Sequence, residues 1–272
     1  MFMQGVLLEL WLPLSFMPLA KNIFRNYMNQ QRVIALIPAR YAASRLPGKL
    51  MKVLAGKTVI ARTYEAVKAT QLFDEVIVVC DHDEIENEIR SIGGKFFRSQ
   101  FEHESGTDRI AEAAEILDTD IIVNVQGDEP FMNHEALEKV VALFKNPEVQ
   151  IASLLLPIHD VERINNPNCV KVVVDKQFRA LYFSRSPIPY YRDTTMTQIA
   201  YQHIGVYAFR KDTLLRFTKM PVSELEKIEK LENLRMLENG IPIHMAVVNH
   251  VGISIDTQED FERAEVILKS GD

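Results

Sequence analysis

Cysteine is nearly absent from this chain. Cys80 and Cys169 stand far apart among 272 residues, so there is neither a disulfide framework nor the close ligand spacing of a structural zinc site. A basic excess is also lacking, with a formal net charge of -6. That balance argues against a nonspecific nucleic-acid coat, which must neutralise many phosphates, and leaves room for a small basic pocket. No clean apolar run reaches the roughly 20 residues of a membrane helix. The nearest, residues 5–20, carries Glu9, Pro13 and Pro18 and holds the single tryptophan, Trp11. Lys21 and Arg25 follow this run, whereas a signal peptide carries its positive charge before it. Stable membrane insertion is therefore not expected. Residues 1–28 read as a non-core extension and 29–272 as the folded domain, with Met28 a natural start.

Apolar residues make up 47% and charged residues 25%, as in an ordinary soluble enzyme. Short β-branched runs at 32–38, 75–80, 120–126 and 150–157 alternate with helical patterns at 58–70, 82–93, 108–117 and 133–145. Continuous apolar strands between helices predict a mostly parallel sheet covered on both faces, an α/β sandwich in three layers. The middle of the chain changes character. Runs at 169–175 and 179–184 predict a hairpin, followed by an irregular segment to about 200 and a strand at 204–209, so 157–210 reads as an inserted β-rich region. Apolar positions 225, 228, 231 and 234 predict one helix over 223–239, stopped by Gly240. A strand at 243–248 and a helix at 258–269 complete the chain.

Three polar clusters carry chemistry. The first, PARYAASRLPGK at 38–49, follows a strand and brings Arg40, Arg45 and Lys49 among small residues. Ligands in open α/β sheets bind beyond strand carboxyl ends, and exposed backbone N–H groups there favour anions. The spacing matches neither GxxxxGK[ST] nor GxGxxG, so phosphate binding competes with a solvated basic loop. The second, VNVQGDEP at 123–130, puts Asp128 and Glu129 just past a strand. A carboxylate there suits a hard cation held against phosphates, while Gly, Asp and Pro equally suit a turn. The third, SIDTQEDF at 254–261, places Asp256 or Thr257 as a helix N-cap with Glu259 or Asp260 completing a capping box. The other reading makes Asp256 a second metal carboxylate.

The ordered set IPARYAASRLPGK (37–49), ESGTDRIAE (104–112), NVQGDEP (124–130), NPNCVKVV (166–173), ALYFSRSPIP (180–189), HIGVYAF (203–209), LEKIEKLENLR (225–235) and GISIDTQEDF (252–261) closely resembles the 3-deoxy-manno-octulosonate cytidylyltransferase family. Leu50 stands where that family commonly has a proline. The resemblance implies a nucleotidyltransferase α/β fold with a smaller β-rich dimerisation region. It implies a homodimer in a Gram-negative cytoplasm, making CMP-Kdo from CTP and 3-deoxy-D-manno-octulosonate (Kdo) for lipopolysaccharide assembly. It makes Arg45, Lys49, Asp128 and Asp256 catalytic. Pro38, Ala39, Arg40, Arg45, Lys49 and Asp108 become nucleotide contacts. Asp128 and Asp256 become ligands for Mg2+. The sugar side becomes Gln126, Arg185, His203, Tyr207, Glu229 and Asn233, with His203 a hydrogen-bond donor rather than a general base. Two alternatives keep these residues open: a cytidylyltransferase for another acidic or amino sugar, and a sugar-nucleotide binding module without catalysis.

Overall fold

The β-branched run nearest the start of the folded domain becomes the centre of the sheet. In chain order the strands are Val33–Ala39 (β1), Val53–Leu54 (β2), Lys57–Thr58 (β3), Glu75–Cys80 (β4), Lys95–Arg98 (β5), Ile121–Asn124 (β6), Ile151–Ile158 (β7), Lys171–Val174 (β8), Ala180–Ser184 (β9), Ala200–Arg210 (β10) and Ile243–Val247 (β11). The helices are Val59–Ala69 (α1), Asp83–Ser91 (α2), Gly106–Ile116 (α3), His134–Ala142 (α4), Val161–Asn165 (α5), Lys211–Phe217 (α6), Glu224–Glu229 (α7), Asn233–Glu238 (α8) and Gln258–Ser270 (α9). The computed structural model describes residues 31–42, 46–193, 195, 198–250 and 252–270. The expected extension 1–28 and Arg45 lie outside the described residues.

The sheet runs β11-β7-β10-β6-β1-β4-β5, with the β8–β9 hairpin attached through β10. β10 is antiparallel to both β6 and β7, and the other pairings along this path are parallel. β1 is buried at every position. Its alternate residues point to opposite faces: Ala35 and Ile37 meet the apolar layer of α1, α2, α4 and α9, whereas Ile34 and Leu36 meet that of α3, α6 and α8. Helix layers on both faces of a mostly parallel sheet make the sandwich that the alternating runs predict. The β8–β9 pair is the expected antiparallel hairpin. Among the described residues no helix is long and apolar enough to cross a membrane.

Three features depart from the sequence reading. β5 is an edge strand of four residues with no counterpart among the predicted runs. β10 is longer than the predicted 204–209 and spans Ala200–Arg210. The single helix predicted over 223–239 is two helices, α7 and α8. They part at Lys230, which takes a left-handed conformation at φ 54 and closes α7. The break turns Ile228 outward to 74% exposure, although Leu231 and Leu234 stay in the core. It also lets two carboxylates reach separate partners. Glu229 accepts from Ser184 Oγ at 2.6 Å, and Glu232 accepts from Ser105 Oγ and Thr107 Oγ1 at 2.9 and 2.7 Å.

Candidate active site

β1 and β6 end side by side, and the chain leaves them toward opposite edges of the sheet, β1 to β4 and β6 to β7. Such a switch point opens a crevice beyond the strand ends. A cavity of about 290 Å³ lies there. Its wall brings together Pro38, Arg40, Lys49, Gln126, Asp128 and Asp256 from the predicted set. The two strand-end loops approach closely at Gly127, where a Cβ would sit 3.0 Å from the Pro38 carbonyl oxygen. Thr63 of α1 secures that loop by donating to the Gly127 carbonyl at 2.9 Å.

The turn reading of residues 126–129 holds. The backbone forms a turn, with Glu129 N–H donating to the Gln126 carbonyl at 3.2 Å. The Asp128 side chain is left to the cavity, where it accepts from Lys49 Nζ. The Ile255 N–H donates to the Asp128 carbonyl at 3.0 Å, so the segment entering α9 docks on this turn. That docking brings Asp256 Oδ1 to 3.1 Å from the same Lys49 ammonium. The capping duties fall elsewhere. Thr257 Oγ1 accepts from Asp260 N–H at 3.1 Å, and the Asp260 carboxylate takes Thr257 N–H at 2.9 Å. The Asp256 carboxylate is therefore not the cap of α9.

Burial alone would lower the Lys49 pKa, but the Asp128 and then the Asp256 carboxylates outweigh it and raise it. Lys49 stays charged between them. Glu129, the next carboxylate, is pushed up to about 8 by burial and then by the Asp128 charge. Among the described residues no group of three or more His, Cys, Asp or Glu is arranged around a metal position. Two carboxylates converging on one cation fit magnesium, which takes one or two protein carboxylates and draws its other oxygens from water and phosphate.

The remaining nucleotide-side predictions separate. Ala39 is fully buried at the end of β1. Asp108 is absent from the cavity wall, and its carboxylate lies 2.8 Å from Ser105 Oγ, which also faces Glu232 at 2.9 Å. Two other residues in the wall escaped the sequence reading. Arg109 is 4% exposed and pairs with Asp81 at 3.0 Å, while its second terminal nitrogen is buried without a hydrogen-bond partner among the described residues. His103 is oriented by Glu112, with Nε2 2.6 Å from the carboxylate. The available signal for Arg109 was an arginine beside the apolar positions Ile110, Ala113 and Ala114 of α3.

The sugar-side predictions form two groups. His203 and Tyr207 lie on β10 with ring centroids 5.2 Å apart. Ser153 Oγ is 2.8 Å from the Val206 carbonyl and 3.0 Å from His203 Nε2. A hydroxyl has one proton, and the Val206 carbonyl is placed to take it, so that His203 Nε2–H donates to Ser153 Oγ. Burial pushes the His203 pKa down to about 3 and keeps the ring neutral. Burial likewise raises the Tyr207 pKa, then the Glu232 charge, with a hydrogen bond from the Asn233 side chain opposing. Asn124, the register partner of Tyr207, and Asn233 each keep a buried polar atom, Nδ2 and Oδ1, without a hydrogen-bond partner among the described residues. Arg185 and Glu229 form the second group. The Glu229 carboxylate accepts from the Arg185 N–H at 3.0 Å, and Arg185 Nε donates to the Glu229 carbonyl at 2.8 Å.

A family model described as cytidylyltransferase matches residues 34–246. The chain is 56% identical over 241 residues to a 3-deoxy-manno-octulosonate cytidylyltransferase of Flavobacterium johnsoniae, covering 88% of this chain and 99% of that protein. A protein of the same name from Christiangramia forsetii is 52% identical, with 88% and 98% covered. The solved structure of a CMP:2-keto-3-deoxy-manno-octonic acid synthetase complexed with CTP superposes with a TM-score of 0.84 at 36% identity, covering 88% of this chain and 99% of that one. A 4-diphosphocytidyl-2C-methyl-D-erythritol synthase from Anaerococcus prevotii, at 16% identity and a TM-score of 0.60, shares the fold.

Proposed function

Because this chain belongs to the 3-deoxy-manno-octulosonate cytidylyltransferase family, we propose how its residues divide the work of that family's reaction. The chain transfers CMP from CTP to Kdo. The anomeric hydroxyl oxygen bonds to the α-phosphorus, the bond from that phosphorus to the bridging oxygen breaks, and pyrophosphate departs. The hydroxyl proton passes to solvent as that bond forms.

The observation that carries the assignment is the Asp128–Lys49–Asp256 cluster in the cavity between β1 and β6. Asp128 and Asp256 would hold Mg2+, which supplies positive charge to phosphoryl oxygens when bound. Lys49, Arg40 and Arg45 neutralise the triphosphate, and aligning the attacking and leaving oxygens lowers the barrier further. Pro38 presents the nucleotide wall with Ala39 buried behind it, and Asp108 supports the α3 entry through Ser105. Gln126, Arg185, His203, Tyr207, Glu229 and Asn233 serve the sugar. The unpaired buried atoms of Asn124 and Asn233 support this reading, since such groups await a partner.

The chain works as a cytoplasmic homodimer through region 157–210. Exposed Phe178, Leu181 and Tyr190 in that region support the dimer. Pyrophosphate release from the purified chain, with CTP or UTP against Kdo and other acidic sugars, tests the substrate assignment. Release should require CTP, Kdo and magnesium together. Turnover of another sugar with none of Kdo would refute it.

A further inference from the structure

Lys171, on β8, is fully buried. An ammonium removed from water is costly unless a carboxylate answers it. Among the described residues none does. Nζ donates to the carbonyls of Asn166 at 2.9 Å and Arg185 at 2.6 Å, which uses two of its three N–H groups. Arg185 is only half-buried, and its guanidinium likewise donates to carbonyls, those of Glu229, Pro167 and Lys230 at 2.8, 3.0 and 3.3 Å. The carboxylate of this group, Glu229, accepts from Ser184 Oγ and the Arg185 N–H. Two cations against one carboxylate leave one net positive charge. Burial above all pushes the Lys171 pKa below the ordinary lysine range, with Cys169 opposing it, Arg185 adding to it and Glu229 opposing it more weakly.

A neutral amide could tie the same two carbonyls without a desolvated charge. We infer that Lys171 determines specificity: its buried charge, acting beside Arg185, selects an acceptor sugar that bears a carboxylate over a neutral one. The inference rests on the Kdo reading above. The carboxylate of the sugar supplies the missing negative charge and completes a balanced set of two cations and two anions. Lys171 acts through Arg185 and through the low-dielectric interior, where a charge is weakly screened.

The test uses the full chain with Lys171→Gln, which keeps two N–H donors for the carbonyls, and Lys171→Met, which keeps none. Turnover of Kdo and of its methyl ester is measured at saturating CTP, together with the KM for CTP and the melting temperature. The preference for acid over ester should fall about tenfold or more in both variants, with the KM for CTP within about twofold of wild type. Equal losses for acid and ester would overturn the inference and leave Lys171 as a tie between carbonyls. Failure of both variants to fold would overturn it too, assigning the charge to the fold. A wild-type chain that turns over neither sugar would instead refute the Kdo reading, and the inference with it.

Discussion

The Ile255 N–H donates to the Asp128 carbonyl at 3.0 Å, and this backbone bond joins two segments more than a hundred residues apart at the wall of one cavity. Asp256, the next residue, thereby shares Lys49 with Asp128. Asp128→Asn and Asp256→Asn should stay folded, with melting temperatures near wild type, and should lose most pyrophosphate release. The double variant should be little worse than either single one, as expected of residues that act as a unit. Thr257→Ala is the control. It removes the cap of α9, should cost about 0.5–2 kcal/mol of stability, and should spare turnover. A folded Asp256→Asn protein with normal turnover at low magnesium would remove Asp256 from the site.

Lys49→Met removes the cation held between these carboxylates and should impair CTP use above all. The KM for CTP should rise and kcat should fall at fixed Kdo. Calorimetric titration with CTP separates the two effects. Unchanged CTP affinity and turnover would exclude Lys49 from the site.

The pH dependence of stability should carry a signature of His203. Its folded pKa is about 3, below the ordinary value of 6.5, so below pH 6.5 the unfolded chain binds a proton that the folded chain does not. Its contribution is therefore complete above pH 6.5 and is lost as pH falls from there toward 3. Chemical denaturation of wild type and His203→Asn across pH 4 to 8 should show a shallower acid loss in the variant. Parallel curves would contradict the lowered pKa.

Arg235 and Glu226 form a buried bidentate pair, with Nε and the second terminal nitrogen 2.7 and 2.6 Å from the two carboxylate oxygens. Arg235 also lies over the Phe217 ring at 4.7 Å. Glu226→Ala strands the guanidinium and should destabilise the chain by about 3–5 kcal/mol, measured by urea unfolding. A loss under about 1 kcal/mol would mean that water reaches the pair freely.

Much of the sheet was legible because β1, β4 and β7 are buried on nearly every position, and such strands need unbroken apolar runs. β5 was not, because an edge strand of KFFR is too short to show a period. The break at Lys230 was hidden for another reason. Leu225, Ile228, Leu231 and Leu234 keep helical spacing across it, and only the left-handed backbone and the tertiary partners of Glu229 and Glu232 reveal two helices. In the site, Lys49, Asp128 and Asp256 stood out as charges at the ends of apolar runs. Arg109 and Glu232 sit inside helical patterns, where a charge ordinarily means a solvated face, and their burial depends on contacts distant in sequence.

β10 pairs with β7 in two registers. Between Ile204 and Tyr207 it advances three residues while β7 advances one, from Leu154 to Ser153. Ser153 sits at the seam, with Val206 and His203 on its hydroxyl. The strand is thus continuous in bonding yet spliced in alignment. One segment carries Tyr207 and runs beside β6; the other carries His203 and runs beside β8. A shift in the segment that carries His203 can be taken up at the splice without sliding the segment that carries Tyr207. Two parts of a single strand can therefore follow different neighbours, with one serine as the joint between them.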